Sequence, residues 1–140
     1  MDVALRTFVR QRAGDRCEYC RLPQEASPLA TFHIEHIIPR QHQGATEPQN
    51  LALACHHCNS HKGPNLTGID PVTRSLVRLF DPRSRSWKDH FEFAGAEIIG
   101  RTPTGRATVH VMAMNLIDRL ELRSEIQGEG VELEFEPPAS

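Results

Sequence analysis

Two Cys-x-x-Cys pairs constrain the fold of this chain more than any other feature of its sequence. The first pair is Cys17 and Cys20, the second is Cys55 and Cys58, and residues 21–54 lie between them. Two thiolates in such a turn can occupy adjacent corners of a tetrahedron around Zn²⁺, and a second pair completes a closed structural site. The spacing therefore predicts a zinc ion that clamps the two ends of an inserted segment together.

The composition favours such a metal staple. Of the 140 residues, 39% are hydrophobic and 6% are aromatic, which leaves little material for a large core. The start of the chain lacks the features of a secretory signal, and no run of about 18 apolar residues could span a membrane. We therefore expect a cytoplasmic protein whose cysteines hold a metal; the alternative is disulfides or a redox pair.

Charge is distributed unevenly along the chain, whose net charge is −2. Residues 1–106 contain 14 Lys and Arg against 11 Asp and Glu, whereas residues 107–140 contain 2 against 7. Because phosphate binding favours a basic surface, the first part can still present one to nucleic acid. One basic stretch is a candidate contact with a nucleic-acid backbone, and the alternative is a solvated face. It contains Arg74, Arg78, Arg83, Arg85 and Lys88.

Residue patterns predict an α+β chain. Asp2 is the expected cap of a first helix, and Thr102 begins a later helix with a proline in its first turn. Asn115 is the expected cap of the last helix, and a brief helix from Asn59 must stop before Gly63. Short apolar or alternating runs predict strands. In chain order these are 30–38, 76–80, 91–93 and 97–99, and a short apolar stretch at 50–54 leads to the second cysteine pair.

The inserted segment carries acidic and imidazole groups at the end of an expected strand. His36 directly follows Glu35, and His33 lies two residues before Glu35. Asn50 follows a polar loop, and Asn59 follows the second cysteine pair. Imidazole, with an unperturbed pKa of about 6.5, is a competent base at neutral pH. Carboxylate and amide oxygens suit Mg²⁺ or Mn²⁺. Metal-assisted hydrolysis of phosphodiester bonds is one chemistry that these residue types fit.

Four elements in order resemble the HNH endonuclease family, which has a ββα-metal fold. They are the first cysteine pair, the segment Glu-His-Ile-Ile-Pro, an Asn-Leu, and a second cysteine pair followed by Asn and Lys; they cover about residues 13–64. The resemblance implies a zinc-stapled ββα-metal core with a small C-terminal α/β extension. We expect the core at residues 1–68 and the extension at 69–140, with a frayed acidic tail from Gly128.

The resemblance also implies roles for single residues. His36 resembles the general base, Glu35 a ligand of the catalytic Mg²⁺ or Mn²⁺, and Asn50 the asparagine that holds the base and its loop. The family most often has His where this chain has Asn59, which leaves Asn59 or His61 to complete the metal site. His61 would lie about 200° around a helix from Asn59, so the two are alternatives, and we expect Asn59.

Two further residues are candidate members of the site. His33 could line it, and Lys62 could contact phosphate or simply end the short helix. The expected function is endonucleolytic cleavage of DNA, leaving 5′-phosphate and 3′-hydroxyl ends. The alternatives are a zinc-binding nucleic-acid recognition module without catalysis and a structural zinc protein that mediates protein contacts. Glu35 and His36 together favour the enzyme, because recognition alone needs neither.

Overall fold

The computed structural model describes residues 1–134, in which short hairpins alternate with helices. Each sheet in these residues is a single antiparallel pair of strands. The expected α+β class is confirmed. In chain order the elements are α1 (Val3–Arg12), β1 (His33–His36), β2 (Leu51–Ala54), α2 (His56–Lys62), β3 (Thr67–Ile69), β4 (Leu76–Arg78), α3 (Trp87–His90), β5 (Phe91–Ala94), β6 (Glu97–Gly100), α4 (Pro103–Val111) and α5 (Ile117–Gly128).

Helix α1 begins where the sequence predicts and packs against the first hairpin. The N–H of Leu5 donates to Asp2 Oδ1 at 2.7 Å, which confirms Asp2 as the cap. Val9 is fully buried. Near the end of the helix, Arg12 Nη2 donates to the carbonyl oxygen of Leu51 at 2.7 Å, so the helix is bonded to the start of β2.

Strands β1 and β2 form the hairpin that carries the expected nuclease residues. His33 pairs with Ala54 and His36 with Leu51, and every residue of β2 is buried. Strand β1 is shorter than expected. Helix α2 starts at His56, earlier than predicted, because Cys55 Sγ accepts the N–H of Cys58 and caps the helix.

The second half of the chain builds two more hairpins around α4. The expected cap of α4 is confirmed, because Thr102 Oγ1 accepts the N–H of Gly105 at 3.0 Å. Gly105 lies so close to the backbone that a Cβ there would stand 2.1 Å from the carbonyl oxygen of His90. This absence of a side chain lets α4 pack directly against α3 and β6.

Two expectations about the C-terminal part are wrong. Asn115 does not cap α5; its side chain bonds the N–H and carbonyl of Ile98, at 2.9 and 2.8 Å. The segment after Gly128 is not frayed through residue 134, because Leu133 is buried in the core. Residues 135–140 of the expected tail lie outside the described residues.

One buried cluster runs through most of the described chain, from Val9 to Leu133. The boundary predicted between residues 68 and 69 stays a prediction; β3 crosses it, and the buried cluster takes side chains from both sides. Across residues 1–134, each helix falls short of the length and hydropathy needed to traverse a bilayer.

Candidate metal centre and nuclease site

The four cysteines form one buried group, here called the cysteine cluster: Cys17, Cys20, Cys55 and Cys58. Their sulfur atoms all lie within 4.8 Å of one another, and Cys20 Sγ is 3.8 Å from Cys55 Sγ. Sulfurs of a tetrahedral site with Zn–S bonds of about 2.3 Å stand about 3.8 Å apart. All four are free thiols, each at most 2% exposed. The donors fit a structural Zn²⁺, and no two of the four sulfur atoms are joined in a disulfide.

Local backbone geometry shapes both halves of the cysteine cluster. The N–H of Cys20 donates to Cys17 Sγ at 3.5 Å, and the N–H of Cys58 donates to Cys55 Sγ at 3.4 Å. Burial raises the pKa of Cys17, and hydrogen bonds with the other thiols, above all Cys17, raise the pKa of Cys58. Hydrogen bonds with the other thiols, above all Cys17, instead lower the pKa of Cys20. Four thiolates this close together would repel one another, so a bound cation is needed to hold all four.

The C-terminal half of the chain covers the cysteine cluster. Arg119 Nη2, on α5, lies 3.8 Å from Cys55 Sγ and is its hydrogen-bond donor. Trp87 Nε1, on α3, donates to the carbonyl oxygen of Tyr19, inside the first Cys-x-x-Cys turn, at 2.7 Å. The extension is therefore bonded to both cysteine pairs.

His36 lies at the end of β1, beside the loop 39–49. Its side chain is half-buried, and its Nε2 stands 2.8 Å from the hydroxyl oxygen of Thr46. Burial lowers the pKa of His36, and the charges of Arg40 and Lys62 lower it further. A lower pKa increases the neutral fraction of the imidazole at pH 7, and the neutral form is the one that a general base needs.

Asn50 closes the loop that carries Thr46. Its side-chain oxygen accepts the N–H of Ile38 at 2.8 Å, and its amide donates to the carbonyl oxygens of Ile38 at 3.0 Å and Ala45 at 2.9 Å. Gly44 permits this closure, because a Cβ there would stand 1.7 Å from the Ile38 oxygen. These contacts agree with the expected role of Asn50 in holding the loop, whereas its effect on catalysis stays a prediction.

Glu35 and His36 project from opposite faces of β1, as neighbouring residues of a strand do. Glu35 is 7% exposed, and its carboxylate contacts two side chains. Its Oε1 accepts a hydrogen bond from the Tyr19 hydroxyl, and its Oε2 lies 3.0 Å from Lys62 Nζ. Burial raises the pKa of Glu35, while the charge of Lys62 opposes the rise.

The two candidates for the third metal residue differ in their surroundings. Asn59 is half-buried and lies one helical turn before Lys62, whose side chain contacts the end of β1. His61 is exposed, its Nδ1 lies 2.8 Å from the carbonyl oxygen of His57, and the two rings are 4.1 Å apart. This arrangement favours Asn59, whose role as a ligand stays a prediction.

The residue types at this site fit a hard divalent ion. Glu35 supplies a carboxylate and Asn59 an amide oxygen, which are donors that Mg²⁺ and Mn²⁺ prefer. His33 lies on the same face of β1 as Glu35, but it is exposed, and its Nε2 is 3.2 Å from His56 Nδ1. The structure therefore places His33 beside the start of α2, at the edge of the site.

Two side chains at the site are missing from the sequence-based expectations. Tyr19, the single tyrosine of the chain, lies between the first two cysteines and reaches Glu35. An aromatic hydroxyl placed between metal ligands was the signal available for it, because a buried hydroxyl needs a partner. Thr46, the partner of His36, lies in a polar loop where nothing in the sequence distinguishes it.

Arg83 fits neither interpretation of the arginine-rich stretch, which were a contact with a nucleic-acid backbone and a solvated face. It forms an ion pair with Glu18, and its Nη1 donates to the carbonyl oxygen of Leu51 at 3.0 Å. Glu18 is buried and also accepts the N–H of Leu53 at 2.8 Å. A buried carboxylate needs a paired cation, so Arg83 supports the core. The other four basic residues of the stretch are exposed: Arg74, Arg78, Arg85 and Lys88.

Comparison with known proteins places this site in a family context. Residues 17–65 match the family model described as HNH endonuclease. CRISPR-associated endonuclease Cas9 from Corynebacterium diphtheriae is 41% identical over 82 residues, which cover 55% of this chain and 7% of the relative. Septu protein PtuB from Bacillus thuringiensis is 25% identical over 118 residues, which cover 79% of this chain and 40% of the relative. No solved structure matches the chain.

These matches confirm the resemblance seen in the sequence. The matched segment contains both cysteine pairs, the β1–β2 hairpin and α2. The chain spans less than half the length of each of these relatives, so the likeness concerns a part of each protein.

Proposed function

We propose, from the premise that residues 17–65 are an HNH endonuclease domain, that this chain hydrolyses phosphodiester bonds of DNA with His36 as general base. The observation that carries the proposal is the setting of His36. Its half-buried imidazole has a lowered pKa and lies at the end of a strand whose partner runs directly into the second cysteine pair. A neutral imidazole in a rigid frame is what activation of a water molecule requires.

In the proposed reaction, His36 takes a proton from the water that attacks the phosphorus atom. The hydrogen bond between Nε2 and Thr46 fixes the orientation of the ring. With Nε2 donating to the threonine hydroxyl, the lone pair of Nδ1 is the one that accepts the proton. Asn50 keeps Thr46 in reach by holding the loop 39–49 to the end of β1.

We further propose that Glu35 and Asn59 hold the catalytic ion. Mg²⁺ or Mn²⁺ bound through their oxygens supplies charge stabilisation at the phosphoryl group and the leaving oxygen. A zinc ion held by the cysteine cluster would take no part in the reaction, because four thiolates would leave it no open position. Since four free cysteines suit a reducing compartment, we place the activity in the cytoplasm.

The test is nicking of supercoiled plasmid by zinc-loaded protein, in buffer with Mg²⁺, with Mn²⁺, or with neither ion. Zinc content is measured before and after each reaction, so that loss of the structural ion is not mistaken for loss of the catalytic one. We expect nicked circles only with an added ion, and weaker or no cleavage of an RNA of matched sequence.

Two outcomes contradict the proposal. Folded, zinc-loaded protein that cuts no DNA with either ion excludes the nuclease. If that protein still binds DNA, the recognition module without catalysis is the correct function. Faster cleavage of RNA than of DNA contradicts the proposed substrate.

A further inference from the structure

Lys62 is a buried lysine, and only 2% of it is exposed. Its Nζ lies 3.0 Å from Glu35 Oε2, 3.0 Å from the carbonyl oxygen of Ile37 and 3.3 Å from that of His36. A lysine ammonium has three hydrogens, and here each has an acceptor. No hydrogen is left for a phosphate, which argues against Lys62 as the phosphate contact considered from the sequence.

Glu35 depends on this lysine. The carboxylate is buried, its other oxygen accepts the Tyr19 hydroxyl, and the ammonium is the cation in direct contact with it. An ionised carboxylate out of water is stable only when it is paired. Lys62 therefore supplies at Glu35 the positive charge that a metal ion would also supply.

We propose that Lys62 is an internal competitor of the divalent ion: it holds Glu35 while the site is free of metal, and the ion must displace it. This inference rests on the proposed function, in which Glu35 is a ligand of that ion. Two cations beside one carboxylate repel each other, so pairing with Lys62 opposes binding of the ion and binding of the ion opposes the pairing.

Displacement of Lys62 would also change hydrogen bonds at the end of β1, the strand that carries His36. The same ammonium bonds the carbonyl oxygens of His36 and Ile37, at the point where β1 ends. When Nζ leaves Glu35, the bonds that it makes to this part of the backbone change as well. Binding of the ion is thereby coupled to the backbone position of His36, and Lys62 is a positioning residue for the reaction.

The distinguishing consequence is a gain of affinity. A lysine that only stabilises the fold would, when removed, leave ion binding unchanged or weaken it. A competitor, when removed, strengthens it. Lys62→Gln keeps an amide that can donate to the two carbonyls and removes the charge, so we expect Mn²⁺ to bind this variant about tenfold more tightly.

The experiment measures Mn²⁺ binding to zinc-loaded protein by isothermal titration calorimetry, without DNA. Lys88→Gln is the matched control, because the only other lysine is exposed, and its affinity should equal that of the wild type. Lys62→Arg keeps the charge and should show no gain, whereas Asn59→Ala should weaken binding. Unchanged or weaker Mn²⁺ binding by folded, zinc-loaded Lys62→Gln overturns the inference.

A second measurement uses the wild-type chain and does not depend on a variant that folds. Mild acylation of amines followed by mass spectrometry compares the labelling of Lys62 and Lys88 with and without saturating Mn²⁺. We expect Mn²⁺ to increase labelling of Lys62 and to leave Lys88 unchanged, since the ion releases the ammonium from Glu35. Equal protection of Lys62 in both conditions overturns the inference. Neither measurement involves cleavage. If both give the expected results and the protein cuts no DNA, the proposed nuclease function is contradicted, whereas competition between Lys62 and the ion is supported.

Discussion

The cysteine cluster and the proposed nuclease site both use residues of α2, and they differ in nearly every physical property. The cysteine cluster has four ligands of one kind, each at most 2% exposed. The nuclease site combines a carboxylate, an amide and a half-buried imidazole, and its carboxylate already has a lysine partner. Closed thiolate sites hold zinc for folding, whereas sets of oxygen donors leave an ion its waters for a substrate to replace.

The difference shows how one short stretch of chain can serve both tasks. Cys55 is a member of the cysteine cluster and also the cap of α2, so zinc at the cluster would fix the start of that helix. Asn59 and Lys62 follow on the same helix. The closed site thereby gives rigidity to the open one, whose groups must be held to within a fraction of an ångström to act.

The largest expected effect concerns the closed site. Cys17→Ser should lose the zinc ion and most of the native structure, because metal binding and folding are coupled in small metal-stapled domains. Elemental analysis should find one zinc per wild-type chain and none in the variant, and circular dichroism should show loss of helix. His56→Ala is the control, since His56 is exposed and lies between the cysteines of the second pair without being one of the ligands. A Cys17→Ser protein that keeps its zinc and unfolds cooperatively contradicts the assignment.

A smaller effect is expected at the loop beside His36. Asn50→Ala removes three hydrogen bonds that hold the loop 39–49 to β1. Leaving such buried groups unpaired costs about 1–3 kcal/mol, which denaturant unfolding can measure. Asn65→Ala, an exposed asparagine after α2, should be neutral. If Asn50→Ala is as stable as the control, the loop is held by other contacts.

The smallest effect is expected where the extension meets the cysteine cluster. Arg119→Leu removes the donor to Cys55 Sγ. Outer partners of metal ligands typically change metal affinity by about tenfold or more, so the variant should release zinc to a chromogenic chelator about tenfold faster. Stability in the absence of chelator should change little, because Arg119 is partly exposed. Identical release rates would show that α5 only covers the cluster.

The closed site was predictable from the sequence, and the open one only in part. Two Cys-x-x-Cys pairs predict that the four cysteines lie together, because this spacing is typical of a structural zinc site. The partners of Glu35, which lies on β1, are Lys62 on α2 and Tyr19 between the first two cysteines. No local pattern joins these three residues, so their contact follows from the fold alone.

The same contrast holds for the helices. Asp2 and Thr102 cap the helices that directly follow them, and both caps were predicted, because capping is a local interaction. Asn115 stands two residues before α5, and its side chain bonds Ile98 on β6 instead of the helix. A tertiary contact that satisfies both hydrogen-bonding groups of a strand residue outweighed the local preference. Leu133, expected in a frayed tail, is buried for the same kind of reason.

The proposed nuclease depends above all on His36. A single-turnover cleavage assay with saturating Mg²⁺ compares the wild type, His36→Ala and His42→Ala, an exposed histidine in the adjoining loop. Zinc content, unfolding midpoint and DNA affinity are measured on the same samples, so that a folding or binding defect is recognised.

We expect His36→Ala to cleave about 10²–10⁴-fold more slowly than the wild type, the usual loss when a general base is removed. Its zinc, fold and DNA binding should be retained, and His42→Ala should cleave like the wild type. Undiminished cleavage by folded, zinc-loaded His36→Ala would contradict the assignment of His36 as the general base.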